Sequence, residues 1–227
     1  MKVKLVGITQ PLEEGINTAQ ELISFAARVS NPSNQHNNKT SAGLLKYCIT
    51  HKHFSIFEMA NMVIEIETTR DISRQILRHK SFSFQEFSQR YATVDPEIVY
   101  RECRMQDTKN RQNSLAVSED SSPAISFKSS QDKVWETALE EYKMAIEHGV
   151  AKEQARSLLP EGLTTTRMYM NGTVRSWIHY CTIRCGIETQ KEHRLIAKEI
   201  CKVLVEQFPH IAELLSPCLE ENYSAES

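Results

Sequence analysis

Glycine is scarce in this chain, and its placement excludes two widespread nucleotide-binding folds. Only seven glycines occur among the 227 residues. They lie at Gly7, Gly15, Gly43, Gly149, Gly162, Gly172 and Gly186. This spacing matches neither the G-x-G-x-x-G loop of a Rossmann fold nor the glycine-rich loop of a P-loop fold. If the chain binds phosphate, side chains and helix ends must therefore hold it.

The spacing of apolar residues predicts an α+β fold, in which a small and mostly antiparallel sheet is surrounded by helices. Strands are predicted at residues 2–9, 62–68, 91–94 and 163–170. Helices are predicted to begin at Asn17 or Thr18 and to span residues 40–51, 131–148, 151–159, 174–185 and 190–208. We expect one domain over residues 1–227, with a polar insertion at 101–130 and a flexible tail at 216–227.

Composition and charge favour a cytoplasmic protein that binds neither nucleic acid nor membranes. The net charge is -2 and the isoelectric point is near 6.5, whereas nucleic-acid-binding domains are usually basic. No apolar run is long enough to span a bilayer. None of the six cysteines forms a Cys-x-x-Cys pair, which indicates reduced, buried thiols. His51 and His53 with Glu58 offer too few ligands for zinc, so we predict no metal site.

An arginine stripe precedes the most unusual segment of the chain. Arg70, Arg74 and Arg78 recur every four residues and would share one face of a helix that begins with a capping box from Thr68 to Asp71. Like charges at this spacing repel, so an anion should lie against the stripe. Arginine forks fit phosphate well. The alternative is that acidic residues of a neighbouring helix pair with the stripe.

The segment after the stripe alternates hydrogen-bonding side chains with aromatic rings. Between Ser81 and Tyr91, serines, amides and one carboxylate are interleaved with Phe82, Phe84 and Phe87. This pattern is typical neither of a solvated loop nor of a buried core. It is the composition that we expect for the wall of a ligand-binding site.

The same segment resembles the signature of the flavin-dependent thymidylate synthases, the ThyX family. Arg78-His79-Lys80 is followed by seven residues and Ser88, with Glu86 and Arg90-Tyr91 in register. The family usually has arginine at the position of Lys80, which here keeps the charge but loses the planar fork.

Two further blocks carry the resemblance, which covers residues 1–215. One runs from Thr173 to Arg194, and the other from His51 to Glu58. Arg156 also precedes a Leu-Pro pair, as a nucleotide-binding arginine does in the family. On a straight helix Arg175 and His179 share a face, whereas Arg184 lies about 180° from Arg175.

The resemblance implies an activity, its cofactors and an assembly. The family methylates dUMP to dTMP, taking the one-carbon unit from methylenetetrahydrofolate and a hydride from FAD that NADPH has reduced. Its active sites lie between the subunits of a homotetramer. No cysteine of this chain has a neighbouring base in the sequence, so a route without cysteine attack on the uracil ring is expected here too.

The resemblance also assigns site residues. Arg184 would contact the uracil ring as the catalytic residue, because a fixed cation can stabilise the charge that develops there. The other dUMP-binding residues would be Gln75, Ile76, Leu77, Arg78, Glu86, Phe87, Ser88, Gln89, Arg90 and Arg156. FAD would be bound by Ser55, Arg78, His79, Lys80, Ser81, Glu86, Thr173, Val174, Arg175 and His179. His53 would lie near the folate. Thr173 and His179 replace asparagines that some family members have.

Two other functions remain open from the sequence. A flavin-dependent uracil methyltransferase acting on RNA would share the chemistry but should have a basic face. A non-catalytic nucleotide- or phosphate-binding module would need the arginine stripe but not the block around Arg175 and His179.

Overall fold

The computed structural model describes residues 1–92 and 97–225. Its contacts divide the chain into two compact units. Unit 1 comprises Met1, Glu67–Arg78 and Glu86–Met168, and unit 2 comprises Lys2–Ile66, His79–Gln85 and Tyr169–Ser227. The expectation of a single domain over residues 1–227 stays a prediction.

A four-stranded sheet confirms the predicted α+β class. The strands are β1 Lys2–Ile8, β2 Asn61–Thr69, β3 Ser83–Glu86, β4 Arg104–Gln106, β5 Ser114–Ala116 and β6 Thr165–Thr173. The sheet has the order β1-β2-β6-β3, while β4 and β5 form a separate antiparallel pair. The residue after β1 bonds to the start of β2, since Thr9 N donates to Asn61 O over 3.0 Å. Similarly, Val174 N, just after β6, donates to Ala60 O over 2.9 Å. Both contacts are those of antiparallel neighbours.

The predicted helices are present, with some different ends. They are α1 Ala19–Ala27, α2 Ser41–Thr50, α3 Arg70–Ile76, α4 Ser122–Glu147, α5 Lys152–Ala155, α6 Val174–Arg184, α7 Lys191–Gln207 and α8 Ala212–Leu215. Short 3-10 helices span Pro32–Asn34, Asn38–Thr40, Phe54–Met59, Arg156–Leu158, Pro209–Ile211 and Ser216–Leu219. Of the two predicted starts of α1, Asn17 and Thr18, the structure has Thr18 as the N-cap, and it forms a capping box with Glu21. The helix predicted at 151–159 is split between α5 and the 3-10 turn that ends before Pro160.

The segment predicted as a polar insertion contains regular structure. It includes the β4–β5 pair and the first two turns of α4, which begins nine residues earlier than predicted, at Ser122 rather than Gln131. The Ser121 side chain accepts from the Ala124 N–H, and Pro123 lies in the first turn, so this helix start has two local signals. Apolar periodicity missed it because most side chains from 122 to 130 are exposed.

Other boundaries also differ from the sequence predictions. The N-cap of α3 is Thr69, not Thr68, and its side chain donates to Asp71 instead of capping the helix. Of the strand predicted at 91–94, residues 93 and 94 lie outside the described residues, and Tyr91 belongs to a turn. In the segment predicted to be a flexible tail, Cys218 is buried and the Tyr223 hydroxyl donates to Thr182 O over 2.9 Å.

Aromatic rings fill the centre of unit 2. Trp177 is fully buried, and its Nε1 donates to Met62 O over 3.3 Å. The Phe82 ring meets Trp177 edge to face, with 4.6 Å between centroids. Phe82 also packs so closely on Gly172 that a Cβ at that glycine would overlap the ring. All six cysteines have free thiols, and all but Cys103 are buried, as predicted.

Unit 1 has a smaller core between α4 and the segment after it. Tyr142 of α4 packs with Ala155 and Leu159, and Leu139 and Ile146 lie against them. Trp135, also on α4, is 6% exposed. In the described part of the chain, no helix is long and apolar enough to cross a membrane.

Candidate active site

The arginine stripe begins on α3 but does not stay on it. The helix ends at Ile76, with Leu77 as its C-cap, so Arg78 follows the helix instead of lying on its face. Arg74 bonds to Glu161 over 3.4 Å. Arg70, which is 7% exposed, lies 3.8 Å from the same carboxylate. Acid pairing, the alternative raised by the sequence, therefore accounts for two of the three arginines, although Glu161 lies in a turn and not on a helix.

Arg70 lies in a strongly charged environment. Burial lowers the pKa of its guanidinium most, and the charges of Arg74 and Arg156 lower it further, while Glu86 and Glu161 oppose them. Arg156, which comes from the turn after α5, is thus part of the same charged group as the stripe. The fold brings together cations that are about 80 residues apart in the sequence.

Glu86 is held in place by hydrogen bonds inside this group. One of its oxygens accepts from the Ser73 hydroxyl over 2.8 Å and from the Thr166 hydroxyl over 3.0 Å. Its other oxygen lies 3.6 Å from Arg74. Only 15% of its side chain is exposed. Hydrogen bonds to a charged acceptor fix its position, so Glu86 is a rigid polar group at the end of β3.

Arg90 and Arg156 both contact Glu153. The carboxylate of Glu153 lies 3.1 Å from Arg90 Nε, and its backbone carbonyl accepts from Arg156 Nε over 3.2 Å. The Arg90 guanidinium also lies over the Tyr91 ring, 5.6 Å from the centroid. Glu153 therefore aligns two arginines that the sequence assigned to one phosphate.

Other residues of the predicted nucleotide set lie in the last turn of α3 or directly after β3. Ser88 accepts from the Arg90 N–H over 3.4 Å. Gln89 is 2% exposed, and among residues 1–92 and 97–225 no group bonds to its Nε2. Gln75 and Ile76 form the last turn of α3, whereas Phe87 follows β3 with 38% exposure. All these residues belong to unit 1.

In unit 2, several residues that were predicted to bind the flavin lie at the start of α6. Thr173 is the N-cap, and its hydroxyl accepts from the Ser176 N–H over 3.2 Å. Val174 is fully buried, whereas Arg175 points outward and bonds to Glu58 over 2.8 Å. Arg175 and His179, predicted to share a helix face, line one cavity of about 530 Å³. The other lining residues are Phe54, Glu58, Ser81, Ser176, Ile178, Thr182 and Leu214.

The opposite face of α6 carries Arg184, which meets the signature segment. Its Nε donates to Nε2 of His79 over 2.9 Å. The His79 ring lies edge to face on Tyr180, with 4.9 Å between centroids. Tyr180 is fully buried, and its hydroxyl pairs with His193 Nε2 over 3.0 Å. Two sequence blocks that are 105 residues apart are joined at this contact.

Tyr180 and His193 received no role from the sequence. Burial lowers the pKa of His193 most, and the neighbouring Arg184 and His79 lower it further, to about 3. Its ring is therefore neutral at pH 7 and can accept from the Tyr180 hydroxyl. A histidine within an amphipathic helix is a weak signal, because only the fold shows that it faces another histidine and an arginine.

Four other predicted site residues are exposed to solvent: His53, Ser55, Lys80 and Ser81. Lys80 and Ser81 lie just before β3, and the Ser81 carbonyl accepts from the Ser176 hydroxyl over 3.4 Å. Ser55 is exposed in the 3-10 helix Phe54–Met59. His53 begins that helix, and its exposed ring lies 6.1 Å from the Tyr47 ring.

Solved structures share the fold of this chain. A UMP/dUMP methylase, PolB from Streptomyces cacaoi, bound with 5-Br dUMP, aligns with a TM-score of 0.81 and 23% identity. The alignment covers 95% of this chain and 94% of that one. The fold is thus one that a nucleotide methylase uses.

Sequence relatives give the family. Residues 12–210 match the family described as "Thymidylate synthase complementing protein". A probable flavin-dependent thymidylate synthase of Paramecium bursaria Chlorella virus 1 is 51% identical, covering 95% of this chain and 99% of that protein. A flavin-dependent thymidylate synthase of a Synechocystis strain is 48% identical, with the same coverage. The chain belongs to the flavin-dependent thymidylate synthase family.

Proposed function

We propose that this protein converts dUMP to dTMP by reductive methylation at C5 of the uracil ring. The observation that carries the proposal is the bond between Arg184 and His79. It joins His79 of the Arg-His-Lys segment to Arg184 of the second block, so one residue from each of two blocks that carry the family resemblance meet within unit 2. A nucleotide-binding module without chemistry would not need this contact.

Arg184 is suited to activate the uracil ring. Because its Nε donates to His79, the guanidinium has a fixed orientation, and the remaining donors of its planar fork can face the ring. A fixed cation that stabilises negative charge on the N3–O2 side makes C5 nucleophilic without a covalent enzyme adduct. C5 then bonds to the methylene carbon of methylenetetrahydrofolate and loses its hydrogen as a proton, and the bond from that carbon to the folate nitrogen breaks, which releases tetrahydrofolate.

The phosphate of dUMP is assigned to the arginines of unit 1. Arg90 and Arg156 are aligned by Glu153, and Ser88 lies beside Arg90. The same set would include Gln75 to Arg78, with Glu86 and Gln89 as polar neighbours of the nucleotide. The support for this assignment is the concentration of cations around Arg70, whose guanidinium pKa is lowered by burial and by the charges of Arg74 and Arg156.

The cavity on α6 fits part of a flavin. Its volume of about 530 Å³ is in the range of small-molecule sites. Phe54, Ile178 and Leu214 offer apolar contact, while Arg175 and His179 offer polar groups at the edge. These residues would hold FAD together with Ser55, His79, Lys80, Ser81, Thr173 and Val174. Bound FAD, once reduced, supplies the hydride that completes the methyl group.

The proposal includes partners and assembly. Methylenetetrahydrofolate would supply the one-carbon unit, with His53 near it, and NADPH would be the reductant. We also propose a homotetramer with active sites between subunits, in which Ser55 reaches the flavin of a neighbouring subunit. A cytoplasmic location remains part of the proposal, supported by the free thiols of all six cysteines.

The test begins with the visible absorption spectrum of the purified protein. We expect the spectrum of a bound flavin, and formation of dTMP when dUMP, methylenetetrahydrofolate and NADPH are all present. Omitting any one of the three should stop product formation. A protein that stays colourless after incubation with FAD would refute the flavin site and leave a nucleotide-binding module. A flavoprotein that methylates uracil in RNA but not dUMP would refute the substrate assignment.

A further inference from the structure

A buried arginine in unit 2 has part of its guanidinium unpaired. Arg28, at the end of α1, is 6% exposed. Its Nη2 donates to the Thr40 hydroxyl over 2.9 Å. Among residues 1–92 and 97–225, no group bonds to its Nη1. A buried cation that meets only a neutral hydroxyl is unfavourable, because burial removes hydration without replacing it.

The same guanidinium lies at the start of α2. Thr40 is the N-cap of this ten-residue helix, and it makes no capping hydrogen bond with its side chain. The Ser41 N–H already donates to Asn38 O of the 3-10 helix Asn38–Thr40, which runs into α2. The start of a helix carries partial positive charge, so Arg28 adds a cation to an end that favours anions. The next residue, Ser41, is 2% exposed, and its hydroxyl has no hydrogen-bond partner in the described part of the chain.

Solvent can reach this helix start. Thr40 and Ala42 are exposed. A Cβ added at Gly43 would have no neighbour within 4 Å. The first turn of α2 is therefore open to a ligand, whereas Arg28 Nη1 and the Ser41 hydroxyl oxygen are themselves buried.

The surrounding sequence contains no negative charge. Between Glu21 and Glu58 there is no aspartate or glutamate, although the whole chain has a net charge of -2. Lysines at positions 39, 46 and 52 lie in this acid-free segment. The Lys46 ammonium pairs with Glu213 over 2.7 Å. The Arg28 guanidinium thus has no acidic residue near it along the chain.

We propose that Arg28, Thr40 and Ser41 form a binding site for a tetrahedral oxyanion of the phosphate class. One anion would accept from Arg28 Nη1 and the Ser41 hydroxyl, and it would lie on the positive end of α2. This set shares no residue with the nucleotide and flavin sets, so it stands independently of the proposed function. It is a second anion site, with its own ligand.

The test is a titration of the full-length protein with inorganic phosphate, replacing chloride at constant ionic strength, read by the thermal midpoint. A ligand that binds only the folded protein raises this midpoint with concentration. We expect Arg28→Gln to weaken the phosphate affinity by about tenfold or more, because it removes a charged hydrogen bond. The matched control is Lys46→Gln, which removes one charge from the same segment and should leave the affinity unchanged.

Phosphate can also bind the arginines of unit 1, so a second readout is local. Crystals soaked in selenate, a tetrahedral oxyanion that scatters anomalously, should show selenium beside Arg28 Nη1. Equal phosphate affinity in the wild type and Arg28→Gln, or selenium only elsewhere, would overturn the proposal. If Arg28→Gln does not fold, Ser41→Ala decides: its affinity should fall by about two- to tenfold, and an unchanged value would refute the site.

Phenyl phosphate distinguishes two sources of the anion. If it competes with inorganic phosphate, the site takes the phosphoryl end of an organic molecule. If only inorganic phosphate binds, the site takes the free ion. Either result supports the proposal, whereas binding of neither compound at Arg28 overturns it.

Discussion

The two units hold their functional side chains by different physical means. In unit 1, arginines are positioned by carboxylates: Glu86, Glu153 and Glu161 each contact at least one of them. In unit 2, Arg184 and His79 are positioned by rings, with Tyr180 fully buried against His79. Ion pairs near the surface are individually weak and sensitive to salt, whereas packed rings are stiff. We therefore expect unit 1 to adapt to its ligand and unit 2 to be preformed.

The largest expected effect concerns Arg184 in the ring-supported site. Replacing it with alanine should lower the turnover of dUMP by about a thousandfold or more, because the developing charge on uracil loses its fixed cation. The flavin should stay bound, since Arg175 and His179 lie on the other face of α6. The measurement pairs kcat with flavin absorbance in the same sample.

Lys202→Ala is the control for Arg184→Ala, because it removes an exposed cation of α7 that pairs only weakly with Glu199. It should retain both turnover and flavin. Unchanged activity in Arg184→Ala would remove the catalytic assignment, and loss of flavin would mean that Arg184 is needed for the cofactor site instead.

The next largest effect is the contribution of His193 to the pH dependence of folding stability. Its pKa of about 3 in the folded protein lies below the ordinary histidine value of 6.5, so below pH 6.5 the unfolded chain binds a proton that the folded chain does not. Stability therefore falls as the pH is lowered from 6.5, by up to about 1.4 kcal/mol per pH unit from this one residue. Urea unfolding from pH 8 to 5 should show a shallower slope for His193→Gln. The exposed His148→Gln should keep the wild-type slope.

A glycine pair compares packing in the two units. Gly172→Ala places a methyl group against the Phe82 ring, and overpacking of this kind costs about 1–3 kcal/mol. Gly162→Ala in unit 1 meets no atom within 4 Å, so its stability should stay close to that of the wild type. Urea denaturation of both variants gives the difference. Equal stability of the two variants would show that the rings around Phe82 accommodate an added methyl group as easily as unit 1 does.

The smallest effect is expected at Ser88. Ser88→Ala should weaken dUMP binding by about tenfold or less without abolishing turnover, since it removes one neutral hydrogen-bonding group. The KM for dUMP should rise while kcat changes little. A covalent adduct trapped on Ser88 would instead give this residue a nucleophilic role and contradict the binding assignment.

The sequence correctly predicted the structural elements that depend on residues close together in the chain. Thr18, one of the two caps that the sequence offered, is the start of α1, and strand composition predicted β2. The prediction that three arginines share one helix face was wrong for Arg78. The helix α3 ends two residues before Arg78, and periodicity does not locate a helix end. The start of α4 was missed because its first turns bury little apolar surface.

The family resemblance selected site residues, but it could not show which of them meet. The bond from Arg184 to His79 depends on how α6 packs against the signature segment, and no local pattern encodes that. The roles of Tyr180 and Glu153 have the same origin, because each supports a functional side chain that is distant in the sequence. Such supporting residues become visible only when the fold is known.

Trp135 and Trp177 are the only two tryptophans of the chain, and each is buried in a different unit. Their indole emission therefore gives every unit its own intrinsic fluorophore. Phenylalanine at either position would leave a single emitter, and the remaining signal would follow the melting of one unit alone. Superimposable curves from the two single-tryptophan proteins would mean that both units unfold in one cooperative transition, and separate curves would give the stability of each.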